Sequence, residues 1–88
     1  MPTADTTFTF HTDPGHGWVE VPIALVFELE IYDDISRYSY HDGVNAFLEE
    51  DCDAAIFIRA FEDKHGQRPA FEESHKNQTH VRNLFPWK

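Results

Sequence analysis

Eighty-eight residues at a formal charge of −9, 41% of them apolar and 15% aromatic, make one domain with a single core and no room for a separate substrate domain. Eight Phe in so short a chain predict a core built on rings. One cysteine, Cys52, excludes an internal disulfide, and without a Cys-x-x-Cys it supplies neither a zinc-finger framework nor a redox motif. With acids on both sides and no base or cation beside it, it does not read as a nucleophile.

The charge is unevenly placed. Residues 1–58 hold twelve acids and one base, Arg37, a balance of −11, whereas residues 59–88 hold four acids and six bases, a balance of +2. Acidity of this kind repels nucleic acid and anionic membrane and attracts basic protein surfaces. Met1–Thr7 lacks the basic and apolar regions of a signal peptide, and no apolar run approaches the roughly 18 residues of a membrane span. The expectation is a cytoplasmic protein with no membrane association, flexible over 1–6.

In chain order, Phe8-Thr9-Phe10-His11-Thr12 alternates as a strand does, with Phe8 and Phe10 toward the core. Asp13-Pro14-Gly15-His16-Gly17 reverses the chain, proline fixing φ and two glycines offering positive φ. Trp18-Val19-Glu20-Val21 returns as the second strand of an antiparallel hairpin. His11, Asp13 and His16 form a His-x-Asp-x-x-His cluster, but three ligands on a hairpin turn with no fourth donor read as turn chemistry, so no metal or other cofactor is expected. Pro22 opens a helix of about 22–30, and Tyr32–Ser36 is a loop. Arg37–His41 and Val44–Glu49 flank Asp42-Gly43 as a second hairpin. A helix over about 51–65 follows, with Asp51 or Asp53 as cap, a buried stripe of Ile56, Phe57, Ala60 and Phe61, and Gly66 as its end. Pro69–His75 reads as an edge strand and Asn77-Gln78 as a turn. Thr79 caps a short helical turn, and Leu84, Phe85 and Trp87 dock the chain end. The predicted fold is α+β: one domain over 1–88, an antiparallel sheet of four or five strands, one main helix and one shorter one, joined by hairpins rather than crossovers.

Catalysis lacks a signature. His16 beside Asp13, or His41 beside Asp42, would offer a general base, but no nucleophile, glycine cradle or paired-carboxylate site stands with them, and the reading is a non-enzyme.

Three strings, His11-Thr12-Asp13-Pro14-Gly15-His16-Gly17-Trp18-Val19-Glu20-Val21, Ile35-Ser36-Arg37-Tyr38-Ser39-Tyr40 and Leu48-Glu49-Glu50-Asp51-Cys52-Asp53, resemble a family of short proteins from bacteriophages and other mobile elements, over about residues 7–60. Where Glu30 stands, the resemblance implies the glycine that ends a helix. Small acidic proteins of such elements are often counter-defence factors, anti-restriction DNA mimics and anti-CRISPR proteins among them. The implied function is an inhibitor that occupies the basic surface of a host nucleic-acid-binding complex, with CRISPR effector machinery favoured, and blocks DNA binding without touching nucleic acid itself. Carboxylates taking the seats of phosphates would be Glu49, Glu50, Asp51 and Asp53, supported by Asp33, Asp34 and Asp42 and extended by Glu28 and Glu30. The protein is expected to act as a monomer or weak homodimer. The alternative is a phage accessory or assembly module that self-associates through Trp18, Tyr38 and Trp87; a small metal-binding protein or enzyme ranks below both.

Overall fold

The computed structural model describes residues 7–76 and 80–87; the expected flexible lead, the Asn77-Gln78 turn and the Thr79 cap lie outside them. Six strands form one sheet: β1 (Thr7–Thr12), β2 (Gly17–Pro22), β3 (Tyr40–His41), β4 (Asn45–Glu49), β5 (Ala70–His75) and β6 (Phe85–Pro86), in the order β5-β1-β2-β4-β3-β6. Helix α1 covers Ile23–Glu28 and α2 covers Asp53–His65.

The α+β class is as expected, but the sheet is mixed rather than antiparallel. β5 runs parallel to β1, Thr7 opposite Ala70 through Thr12 opposite His75. Because β4 and β1 both run antiparallel to β2, the unit from β4 through α2 to β5 is a crossover, which hairpin reasoning excluded. The physical reason is coverage: a thirteen-residue helix carries the chain across the apolar face instead of turning back at its edge. That face presents Phe8, Val19, Val21, Ala46 and Leu48 to Ala54, Phe57 and Phe61 of α2 and Val26 of α1, all buried. Phe8 meets Phe57 and Phe61 edge-on, with ring centroids 5.2 and 5.7 Å away. Rings do not dominate this core as the composition predicts: Phe8, Phe57, Phe61 and Trp87 are its buried aromatics and the other nine buried members are aliphatic, while Phe27 and Phe85 are exposed. The opposite face is smaller: Trp18, Phe47 and Val81 bury one another with Tyr40 and Leu84 against them.

Several local expectations shift. The first turn contains no positive-φ glycine; those among the described residues are Gly43 and Gly66. Gly17 is needed for close approach, since a Cβ there would stand 2.7 Å from the Phe10 ring. Asp13 organises that turn, its Oδ1 accepting the N–H groups of Gly15 and His16, each at 3.0 Å. The second hairpin turns on Gly43-Val44, one residue late. There Asp42 Oδ1 accepts from Val44 N and Asn45 N, and the Asp42 N–H donates to the Asn45 carbonyl. β3 shrinks to two residues because Ser36 and Ser39 fold the preceding segment into a turn. Gly66 ends α2 at φ 73°, as expected.

Pro22 precedes α1 as the last residue of β2 and its N-cap. The helix stops at Leu29, and Glu30 then adopts φ 58°. A side chain in this left-handed region is strained where glycine is not. Glu30→Gly is therefore expected to stabilise the protein by about 0.5–1 kcal/mol, net of the added freedom of the unfolded chain. A thermal melt should show this as a rise of a few degrees.

Candidate functional site

The three strings singled out in the sequence, residues 11–21, 35–40 and 48–53, meet in one open groove of about 360 Å³, lined by His16 and Trp18 from the first, Arg37, Tyr38 and Tyr40 from the second, and Glu49, Asp51 and Cys52 from the third. Two sets of hydrogen bonds bring them together. The Glu50 N–H donates to the Gly17 carbonyl at 3.0 Å, tying the end of β4 to the first turn. Ser39, fully buried, joins the second and third strings: its hydroxyl donates to Asp53 Oδ2 and accepts the Glu49 N–H at 2.9 Å. The Ser39 carbonyl also takes the Trp87 N–H at 2.8 Å, docking Trp87 as expected, whereas Phe85, expected to dock with it, is exposed.

Asp53 is not the helix cap, and neither is Asp51. Cys52 occupies the N-cap position without a side-chain bond, and Asp53 is the first helical residue. Its carboxylate turns inward, 1% exposed, and Oδ2 accepts from Ser36 N, Ser36 Oγ and Ser39 Oγ. Three donors on one oxygen make it a structural anchor, and its burial keeps it from a partner's surface.

Glu49 is also buried, at 7% exposure, yet it lines the groove. Burial pushes its carboxyl above the ordinary range; the Asp51 N–H, donating to Oε2 at 3.1 Å, opposes this, and the Asp51 charge adds to it. Glu50, Asp51 and Cys52 are exposed around it. His16, Glu49 and Asp51 each place a metal-ligating atom within 4.8 Å of the other two. His11, Asp13 and His16 do not converge, and Asp13 serves the turn, as the sequence reading has it. His11 Nε2 pairs with Glu20 Oε1 at 2.7 Å across the β1–β2 ladder, and Asp13 is occupied by backbone.

The remaining acids disperse. Glu28 lies 3.9 Å from Lys64 and 3.7 Å from His65, at the far end of α2 from Asp53. Glu30 follows α1, and Asp33 and Asp34 sit exposed in a 3-10 turn over Tyr32–Asp34. Asp42 stands at the opposite end of β4 from Glu49, and the Asn45 and Val44 N–H groups hold its carboxyl below the ordinary range. Of the nine acids expected at the site, Glu49 and Asp51 line the groove, while exposed Glu50 lies outside its lining, near Gly17 and the Phe10 ring. Of the rings assigned to self-association, Trp18 and Trp87 are buried and Tyr38 alone is exposed. What sequence reasoning missed is His16 with Glu49 and the aromatic walls. The available signal was the Glu49-x-Asp51 spacing at a strand end.

Compared with protein-family models, curated proteins and solved structures, the chain matches none.

Proposed function

We propose that the protein captures a Lys/Arg-lined surface of a nucleic-acid-binding protein, host CRISPR effector machinery being the favoured target, and blocks access of DNA to it by stoichiometric binding. The observation that carries this reading is the groove, where carboxylates of Glu49 and Asp51 lie among the rings of Trp18, Tyr38 and Tyr40. A lysine or arginine entering it would find an aromatic face for its cation and a carboxylate for its N–H donors. The chain already makes such a contact internally: the Arg37 guanidinium lies 5.7 Å from the Tyr38 ring centroid. The balance of −11 over residues 1–58 would speed encounter with a basic partner, and the phage and mobile-element resemblance supplies the choice of target.

Glu50→Lys with Asp51→Lys is the informative variant, because both residues are exposed and their reversal spares the fold. Capture of the purified effector complex should weaken by about 30-fold or more, the equivalent of about 2 kcal/mol for charge pairs desolvated at an interface. Glu72→Lys on exposed β5 should leave capture nearly unchanged. A complex that still binds its DNA at full strength with this protein attached, or a double reversal that inhibits as well as the parent, would sink the reading.

A further inference from the structure

We propose that His16, Glu49 and Asp51 form a binding site for one divalent transition-metal ion, zinc being the best fit. The donor set is one imidazole nitrogen and two carboxylate oxygens, which suits zinc and disfavours magnesium or calcium, ions that take oxygen ligands. The donor atoms lie within 4.8 Å of one another. Around a zinc ion with bonds of roughly 2.0–2.1 Å, tetrahedral donors stand about 3.3 Å apart, so no donor pair needs to close by more than about 1.5 Å. His16 and Asp51 are exposed, and their side chains can swing that far.

The backbone beneath them is held already. Asp13 fixes the turn that carries His16. The Glu50 N–H bond to the Gly17 carbonyl joins that turn to the Glu49–Asp51 segment. Ser39 pins the Glu49 N–H. Two carboxylates, one of them more than nine-tenths buried, are thus brought together, and among the described residues no lysine or arginine is ion-paired with either. Such crowding raises the energy of both charges, and a bound cation relieves it. Three protein ligands leave a fourth zinc position for water or an incoming group.

A bound ion and a partner's cationic side chain would compete for the same oxygens. The metal test is therefore run on the protein alone, where its failure leaves the capture reading untouched, and capture is assayed in chelator. Zinc is titrated calorimetrically into the chelator-stripped full chain and into His16→Ala, Asp51→Asn, Glu49→Gln and His65→Ala. One saturable equivalent is expected, weakened at least tenfold in each of the first three variants and unchanged in His65→Ala. Zinc should also raise the melting temperature of the parent and not that of Asp51→Asn, a comparison that does not depend on how the buried Glu49 tolerates substitution. No saturable equivalent, or one that survives both His16→Ala and Asp51→Asn, would overturn the site.

Discussion

Asp53→Ala is expected to destabilise the protein by about 3–5 kcal/mol. Each hydrogen bond to a charged group contributes about 1.5–3 kcal/mol, and a donor stranded in the interior costs about 1–3 kcal/mol. The substitution strands three at once, Ser36 N–H, Ser36 O–H and Ser39 O–H, and because they share one acceptor their losses do not add fully. For a domain of this size, that is a fall in melting temperature on the order of 15 °C or more. Asp53→Asn, which keeps an oxygen in place, should cost distinctly less. The mechanism also predicts where the damage goes: the Ser36–Ser39 turn loses its anchor, taking Tyr38 out of the groove wall. Loss of amide exchange protection at Ser36 and Ser39 in the milder Asn variant would show this; an unchanged melting temperature for Asp53→Ala would refute the account.

Gly17→Ala is expected to cost about 1–3 kcal/mol, the range for forcing extra atoms into a packed site. Its Cβ would stand 2.7 and 2.8 Å from Phe10 Cε1 and Cζ and 3.1 Å from Glu50 Cδ. Phe10 is half-buried against the main core, so its ring yields only by disturbing the packing beneath it. Phe10→Leu deletes the offending ring edge. The glycine substitution should therefore cost at least about 0.5 kcal/mol less in the Phe10→Leu background than in the parent. Equal costs in the two backgrounds would place the strain elsewhere.

The parts of the fold that the sequence makes legible are those whose signals are local. The Phe8/Phe10 alternation, the turn at Asp13–Gly17 and the run from Asp53 to Gly66 each state their element within one window, and the structure has β1, β2 and α2 there. β5 is legible as an edge strand, but not its parallel seat beside β1, because nothing in Ala70–His75 encodes a partner more than sixty residues away. Asp53 misleads for a different reason: a carboxylate at a helix start has an ordinary use as a cap, and only the positions of Ser36 and Ser39 reveal that it faces inward. His11 and His16 look paired by spacing. Strand alternation sends His11 to Glu20, while the turn leaves His16 to meet Glu49 and Asp51 from another strand's end. Charge counting likewise treats all acids alike, whereas burial withdraws Asp53 and the β4 strand separates Asp42 from the groove.

The parallel pairing of β1 with β5 also has a consequence for when this protein can fold. The two strands are sixty-three positions apart, Thr7 facing Ala70, so this side of the sheet closes only after the residues up to His75 are available. Contacts this distant in sequence slow folding, because a large loop must be ordered before they form. On the ribosome, β1 and β2 can form their hairpin early, but Phe8 has neither α2 above it nor β5 beside it until residues up to 75 have emerged. Until then the nascent chain carries an unpaired β1 edge and exposed rings, the kind of surface that favours aggregation before a sheet closes.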